Sequence, residues 1–303
     1  MRNYTLLLLI TFLLFAQFST AQRWKRHRTE YCFGVGFSNF LGDLGGKDGI
    51  GTNDFRDFEY TATRIGGLGF GYRYQLSPDF YTKVNLMYSM VSGSDALTSD
   101  PSRSARELSF TTDIVELSGQ FEYKFIKKKT GHLYRLRGVR GKSWFRFEMY
   151  VFAGIGAIWF NPRAQVDGTW HRLSPLNTEG QGLPGGPSDY SNFTLVVPYG
   201  IGISRNLTTG RGFNSWSIGL ELSMRHTFTD YLDDVSTTYY DEKLIQEAYG
   251  DVAAHFSDPS DGTSGVTHHG EQRGDPANRD VFMLAVISVN YKFTKRRRNM
   301  PKF

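Results

Sequence analysis

The chain has 303 residues, a formal net charge of +5 and a mean hydropathy of −0.39, with 15% aromatic residues, 33 glycines and one cysteine. A single cysteine permits no internal disulfide, and no run of eighteen apolar residues follows the N-terminal segment, which argues against a transmembrane helix. A polar average does not exclude a membrane β-barrel, because half of every barrel strand is polar and the loops are long.

The N-terminus has the pattern of a secretory signal peptide. Arg2 supplies a positive charge, residues 6–18 form an apolar core too short to span a membrane, and small residues at 19–21 mark a cleavage site. The sequence therefore predicts a signal peptide at residues 1–21. It predicts that residues 22–303 form one domain, because no linker divides them.

Eight later segments alternate apolar residues with small or polar ones, as expected for strands whose side chains point to opposite faces. They lie at about 30–38, 64–75, 80–90, 107–125, 147–160, 193–204, 216–225 and 281–293. In the last segment every second residue from Met283 to Phe293 is apolar, while the residues between them become polar toward its end. At roughly 3.3 Å per residue, a strand of this length tilted by about 45° crosses the hydrocarbon layer of a membrane.

Two segments interrupt the regular alternation. In the fourth, the apolar parity changes after Ile114, from Leu108 and Phe110 to Val115 and Leu117, which predicts a β-bulge near Ile114. In the fifth, residues 151–158 mix small and large side chains on both parities, so its faces cannot be assigned from the pattern.

The connections alternate between long and short, which predicts an eight-stranded antiparallel transmembrane β-barrel. Long outer loops are expected at about 42–62, 91–106, 161–192 and 229–280, and inner turns at about 75–79, 126–146 and 204–214, of which 126–146 is unusually long. This topology places the protein in the outer membrane with both termini in the periplasm. In a lipocalin-like soluble barrel, the apolar face of each strand would instead have to point into the barrel.

The face opposite the apolar one carries charges of both signs and many glycines. A cluster of opposite charges fits a narrow lumen filled by side chains, and it does not fit the apolar core of a soluble sandwich. The predicted lumen cluster consists of Arg73, Lys83, Glu116, Glu122, Glu221 and Arg225.

Basic residues concentrate in three segments that the topology brings to the periplasmic rim: the N-terminal arm, the long inner turn and the C-terminal tail. We interpret them as a collar that docks an acidic periplasmic partner, or alternatively as contacts to phospholipid headgroups. The predicted partner-binding residues are Arg23, Lys25, Arg26, Arg28, Lys127, Lys128, Lys129, Arg135, Arg137, Arg140, Lys142, Arg296, Arg297 and Arg298.

No motif indicates an enzyme, a cofactor, a metal site or nucleic-acid binding. The glycines at 66–71 lie in a strand pattern and open no helix, and His268–His269 has no further ligand at metal-binding spacing. Cys32, which does not follow the cleavage site as a lipid-anchor cysteine would, is expected to face the lumen, and a disulfide to a partner is an open alternative. Residues 244–255 are expected to form a helix over the barrel mouth, packed through Leu244, Ala248 and Val252.

Several short strings together resemble the PorG-like family, the small outer-membrane β-barrels of the type IX secretion system. These strings are Leu41–Leu44, Arg106–Phe110, Phe160–Pro162, Leu173–Gln181, Thr229–Tyr239, Arg273–Gly274 and Tyr291–Phe293. The resemblance implies a non-enzymatic barrel that anchors a periplasmic ring of PorK-like lipoprotein and PorN-like protein, in machinery that also serves gliding motility. The alternative is a stand-alone barrel of OmpA or OmpW type, either structural or passing small apolar molecules.

Overall fold

The computed structural model describes residues 28–45, 62–98, 100–127, 147–207, 216–260 and 265–293. Within these ranges no helix is both long enough and apolar enough to cross a membrane.

The described chain forms nine strands and three short α-helices. The strands are β1 (Thr29–Leu41), β2 (Arg64–Gln75), β3 (Phe80–Ser94), β4 (Ser109–Ile126), β5 (Glu148–Val166), β6 (Thr169–Arg172), β7 (Phe193–Asn206), β8 (Trp216–Thr227) and β9 (Val281–Phe293). The helices are α1 (Pro101–Ser104), α2 (Glu242–Tyr249) and α3 (Asp251–Ser257).

Eight of these strands form one closed antiparallel sheet. The strands follow each other in the order β4, β3, β2, β1, β9, β8, β7, β5, and the pairing of β4 with β5 closes the ring. The ninth strand, β6, pairs only with the far end of β5 and returns from it through a tight turn at Asp167 and Gly168, both with positive φ. The predicted eight-stranded antiparallel barrel is therefore confirmed, and the predicted strand bounds differ from the observed ones by a few residues.

The outer surface of the barrel is apolar. Leu117 and Ile155 are 58% and 68% exposed, and aliphatic and aromatic side chains of all eight barrel strands share their outward face. A continuous apolar surface of this extent is unstable in water and fits the hydrocarbon of a membrane. The chain is a transmembrane barrel, and the connections β1–β2, β3–β4, β5–β7 and β8–β9 emerge at one end of it, the loop end. The short turn 76–79 and both chain termini of the barrel lie at the other, the turn end.

The predicted bulge near Ile114 is wrong. Phe110, Ile114 and Glu116 all face the interior of the barrel, and β4 pairs with β3 in one unbroken register through this region. The only register shift on β4 lies between Lys124 and Ile126. The strand continues without interruption. Its large apolar residues change from inward-facing to outward-facing positions because the interior is apolar near the loop end and charged further down the barrel. The same change explains why large side chains occupy both parities of β5.

The helix expected over the barrel mouth is split in two and packs through other residues. Gly250, with a φ of 91°, ends α2 and precedes α3. Ile245 on α2 and Phe256 on α3 are buried, whereas Leu244 and Val252 are 45% and 36% exposed. Because the helix is broken at Gly250, α2 and α3 do not share one continuous apolar face. The stripe of Leu244, Ala248 and Val252, which assumes a single helix, therefore does not form.

Candidate functional site

The centre of the turn-end half of the lumen is the guanidinium of Arg73. Its Nε donates to Glu122 at 3.0 Å, Nη1 to Glu30 at 3.1 Å and Nη2 to Glu221 at 3.2 Å. All four side chains are buried. One planar cation thus joins carboxylates from three other strands, which suits the fixed donor geometry of arginine.

A second cation completes this network. Lys83 Nζ donates to both oxygens of Glu221, at 3.0 and 2.9 Å, and the hydroxyl of Tyr150 donates to the same carboxylate at 2.7 Å. The ring of Tyr150 leaves no space for a side chain at position 202, since a Cβ there would lie 2.2 Å from the ring. Glycine at this position is therefore a consequence of close packing in the lumen. The network joins six of the eight barrel strands.

Two further groups of polar side chains lie on either side of this network. Toward the loop end, Arg225 Nε donates to Glu116 at 2.7 Å across the lumen. Toward the turn end, Lys124 Nζ donates to Glu148 at 2.9 Å and lies 4.2 Å above the ring of Tyr81. All six residues predicted for the lumen cluster are buried in ion pairs, and Glu30 and Tyr150 join them although the sequence analysis did not select them.

The loop-end half of the lumen contains an apolar core. Strand side chains such as Phe40, Ile114 and Phe282 pack there with Leu232 and Phe256, which belong to the connection between β8 and β9. The core also includes Leu44, Met87, Val91, Leu108, Phe110, Ile158, Phe160, Ala164, Leu173, Val196, Val235, Leu284 and Val286. The loops therefore enter the barrel mouth and close it.

A buried polar knot holds these loops together. Arg273 Nη1 donates to Glu179 at 3.1 Å and to the carbonyl of Asp234 at 2.6 Å, and Nη2 donates to the carbonyl of Phe256. Glu179 in turn accepts from the backbone amides of Ser236 at 2.8 Å and of residue 237 at 3.1 Å. The side chains of Arg273 and Glu179 thus fix the two longest loops to each other.

The first two loops join the same knot. Arg106 donates to Asp95 through Nε and Nη2, at 3.1 and 2.8 Å, and to the carbonyl of Arg273 at 2.6 Å. The carboxylate of Asp43 accepts from the amide of Asp275 at 2.7 Å, and that of Asp233 accepts from the amide of Leu44 at 3.2 Å. We call this assembly of loops the plug; it comprises residues 41–45, 95–108, 173–192 and 229–280 so far as they are described.

Several carboxyl groups in the plug are buried or half-buried and form no ion pair among the described residues. Burial raises the pKa of Asp230 to about 8 and the pKa of Asp43 to about 6. Burial and the neighbouring carboxylates raise the pKa of Asp233 and of Asp280 well above the usual range. The cost of desolvating a carboxylate favours the protonated form, so these groups make the plug sensitive to pH.

Five of the seven strings that carry the resemblance to the PorG-like family meet in the plug, whereas Phe160–Pro162 lies in β5 and Tyr291–Phe293 ends β9 at the turn end. Asp43, Arg106, Glu179, Asp234 and Arg273 each come from a different one of these five strings. They are distant in sequence, and no local pattern links them. The signal available in the sequence was the presence of acidic and basic residues in several of the long loop strings.

Most of the predicted periplasmic collar lies outside the described residues. Arg28 and Lys127 are described: Arg28 donates to the hydroxyl of Tyr74 at 3.0 Å, and Lys127 pairs with Asp79. The remaining collar positions, which stay a prediction, are Arg23, Lys25, Arg26, Lys128, Lys129, Arg135, Arg137, Arg140, Lys142, Arg296, Arg297 and Arg298.

The positions of Cys32, His268 and His269 do not suggest a chemical site in the part of the chain that the structure describes. Cys32 is a free cysteine, 4% exposed and facing the lumen, so its position argues against a disulfide to a partner protein. His268 and His269 are exposed in the plug. Throughout the described ranges no three metal-ligating side chains are grouped closely enough to hold a metal ion.

The comparisons with known proteins identify a family but no activity. A family model described as "Domain of unknown function (DUF6089)" matches residues 5–257. The chain belongs to this family. No curated protein matches its sequence.

Among solved structures, the chain is similar to Neisserial surface protein A, with 8% identity, a TM-score of 0.38 and coverage of 88% of this chain and 97% of that one. It is also similar to a major outer membrane protein of Thermus thermophilus, with 12% identity, a TM-score of 0.36 and coverage of 88% and 100%. The outer membrane protein OprG of Pseudomonas aeruginosa gives 10% identity, a TM-score of 0.34 and coverage of 89% and 98%. Likenesses at these scores carry no argument about function, which has to come from the site itself.

Proposed function

We propose that this protein is a non-catalytic structural barrel of the outer membrane that is closed to solutes and presents an ordered cap of loops outside the cell. The observation that carries the proposal is the double closure of the lumen. Ion pairs around Arg73 fill the turn-end half, and the plug fills the loop-end half. A channel would need a continuous water-filled path, which side chains exclude in a barrel of eight strands.

Vesicle permeability tests this proposal. Liposomes that contain the purified barrel should shrink and recover in a glycerol or arabinose gradient at the rate of protein-free liposomes. A large porin in matched liposomes serves as the positive control. Solute entry well above the protein-free rate would favour the alternative, a barrel that passes small molecules.

A second function, anchoring a periplasmic ring, is favoured by the distribution of basic residues. The N-terminal arm, the 126–148 connection and the C-terminal tail all join strands at the turn end, on both sides of the barrel. Residues 22–28, 127–147 and 292–303, which comprise these segments and the end of β9, hold 18 of the 35 lysine and arginine residues of the chain. Charges concentrated at one rim add to a common field that attracts an acidic partner. By resemblance to the PorG-like family, the partner would be a ring lipoprotein of the type IX secretion system.

The ring proposal can be tested separately from the closure of the lumen. Reversal to glutamate of Lys127, Lys128, Lys129, Arg296, Arg297 and Arg298 should abolish co-purification of a periplasmic partner while membrane insertion persists. Reversal of the exposed Lys243 and Arg279, which lie at the loop end, is the matched control and should leave co-purification unchanged. Co-purification retained after reversal of the six turn-end residues would contradict the ring-anchoring function.

A further inference from the structure

The border between the apolar and the polar surface of the barrel is sharply defined on β4 and β5. Going toward the loop end on the outward face, Val115 is followed by Asp113 on β4, and Trp159 is followed by Asn161 and Arg163 on β5. Such a border marks the level at which hydrocarbon gives way to lipid headgroups. The side chains just beyond it on these strands therefore lie among headgroups.

Two arginines meet at this level in a like-charged pair. Arg163 on β5 is the direct cross-strand partner of Arg172 on β6, and both face outward. Like charges in this arrangement are destabilising unless an anion separates or neutralises them. Asp113 neutralises Arg163, whereas Arg172 donates to the neutral amide of Asn161 at 2.8 Å and pairs with no carboxylate in the described part of the chain. The group therefore has a net charge of about +1.

Aromatic side chains frame this group. The guanidinium of Arg163 lies 5.9 Å from the ring centre of Trp170, which is largely exposed on the same face. The hydroxyl of Tyr88 donates to Asp113 at 2.8 Å. Tryptophan and tyrosine prefer the membrane interface because one part of each is apolar and another part hydrogen-bonds. We call Tyr88, Asp113, Asn161, Arg163, Trp170 and Arg172 the headgroup cluster.

An apolar groove begins where the headgroup cluster ends. It has a volume of about 650 Å³ and crosses the outward face of β9, β1, β2, β3 and β4. Tyr88 and Val115 form its border next to the cluster, and Phe33, Leu68 and Ile287 lie further along it. Val115 and Asp113 are two residues apart on one strand, roughly 7 Å, so one molecule can reach both regions.

We propose that the groove and the headgroup cluster together form a binding site for a phosphorylated lipid of the leaflet at the loop end. The phosphate accepts hydrogen bonds from Arg172, the arginine without a carboxylate partner among the described residues, beside the Arg163–Asp113 ion pair, while an acyl chain lies in the groove. Arginine suits this ligand because its planar donors match the oxygen atoms of a phosphate. The cationic cluster distinguishes this site from the rest of the apolar surface, which any lipid can cover. The proposal is independent of solute passage and of a ring partner.

Native mass spectrometry of the purified barrel tests the proposal. The protein is released from nanodiscs of phosphatidylcholine that contain a small fraction of phosphatidic acid, and the two lipids retained by the protein are counted. Wild type should retain phosphatidic acid in preference to phosphatidylcholine by about fivefold, the ratio that one net positive charge near an anionic headgroup predicts at about 1 kcal/mol per charge. Arg163→Gln combined with Arg172→Gln should abolish this preference, whereas Arg279→Gln, also exposed at the loop end, should leave it unchanged.

Two further measurements distinguish a lipid-binding site from a site that binds free phosphate. Leu68→Trp, which adds bulk to the groove far from the arginines, should lower retention of phosphatidic acid. Inorganic phosphate at millimolar concentration should not displace the lipid. Equal retention of the two lipids by wild type, an unchanged preference in the double arginine variant, or displacement by inorganic phosphate would overturn the proposal. Heat-modifiable migration in gels verifies that each variant is folded.

Discussion

In the turn-end half of the lumen, charged side chains from five strands and a tyrosine from a sixth contact one another directly, whereas in the loop-end half apolar strand side chains pack against loops. The first half is built within the sheet, whose strand order and register set the level of each side chain in the lumen. The second depends on contacts between loops outside the barrel sheet, such as Arg106 with Arg273. The two halves close the same barrel by different interactions and should therefore respond differently to substitution.

A buried charge network tolerates the loss of a member poorly, because the remaining charges stay desolvated. A plug of loops can loosen locally while the sheet below it persists. We therefore expect damage in the turn-end half to lower the stability of the whole barrel. Damage in the plug should instead change local protection and leave the barrel folded.

The largest effect is expected for Arg73→Ala. The substitution leaves Glu30, Glu122 and Glu221 buried with Lys83 as their remaining cation nearby, so the free energy of unfolding should fall by about 3–5 kcal/mol. Urea titration of the barrel in lipid vesicles, followed by tryptophan fluorescence, measures it. Arg73→Lys keeps the charge and should lose less. Equal stability of Arg73→Ala and wild type would show that the network does not hold the turn-end half together.

The second-largest loss of stability is expected for Arg273→Ala. This substitution removes the cation that joins Glu179 to the loop 229–280 within the plug. We expect local opening of the plug to become easier by about 3 kcal/mol because an uncompensated buried carboxylate remains. Limited proteolysis should then cleave within residues 229–280 while the barrel keeps its heat-modifiable migration. Lys243→Ala, an exposed position in the same loop, is the control. Cleavage at the wild-type rate would contradict the role assigned to Arg273.

Two adjacent residues on α2, the buried Ile245 and the exposed Leu244, allow a direct comparison of buried and exposed positions in the plug. Ile245→Ala should destabilise the local plug structure by about 2–3 kcal/mol through the cavity it leaves. Leu244→Ala, at an exposed position, should change it by less than about 0.5 kcal/mol. Hydrogen exchange of the α2 amides measures both variants. Similar effects for the two would mean that α2 packs through the stripe originally predicted from the sequence.

The smallest effect is a dependence of plug protection on pH. The raised pKa values, about 6 for Asp43 and Asp234 and about 8 for Asp230, mean that the closed plug holds protons that these groups release when it opens. These protonated carboxyl groups stabilise the closed plug fully below about pH 4, the pKa of an aspartate in the unfolded chain. This stabilisation is lost as the pH rises toward 8. Hydrogen exchange in the plug, corrected for the intrinsic rate, should be at least about tenfold faster at pH 8 than at pH 5, because a single group with a folded pKa of about 6 already contributes about one pKa unit over this range.

Asp230→Asn provides the matched variant for the pH experiment. The amide cannot ionise, so its plug should lose part of the difference between pH 5 and pH 8. Exchange rates that rise toward low pH in the wild type would reverse the expected sign and contradict the assignment.

The two faces of each strand and the charges in the lumen could be predicted from the sequence. Side chains two residues apart on a strand share a face, so an apolar outer face identifies the residues that point inward. Arg73 and Glu221 could be placed inside because their neighbours Tyr72 and Leu220 are apolar. The change at Ile114 resembles a bulge in the sequence, because the pattern alone does not show that the interior turns from charged to apolar along β4. Glu179 and Arg273 could not be paired, since their contact depends on how two long loops fold over the barrel and no periodicity reports it.

The electrical conductance of the purified wild-type protein in planar bilayers tests the double closure most directly. We predict no unitary current above the bare bilayer in wild type. We also predict no steady current in either single variant, Arg73→Ala or Arg273→Ala, because the other closure remains. The double variant should give the first measurable openings. A steady unitary conductance from the wild-type barrel would contradict the account.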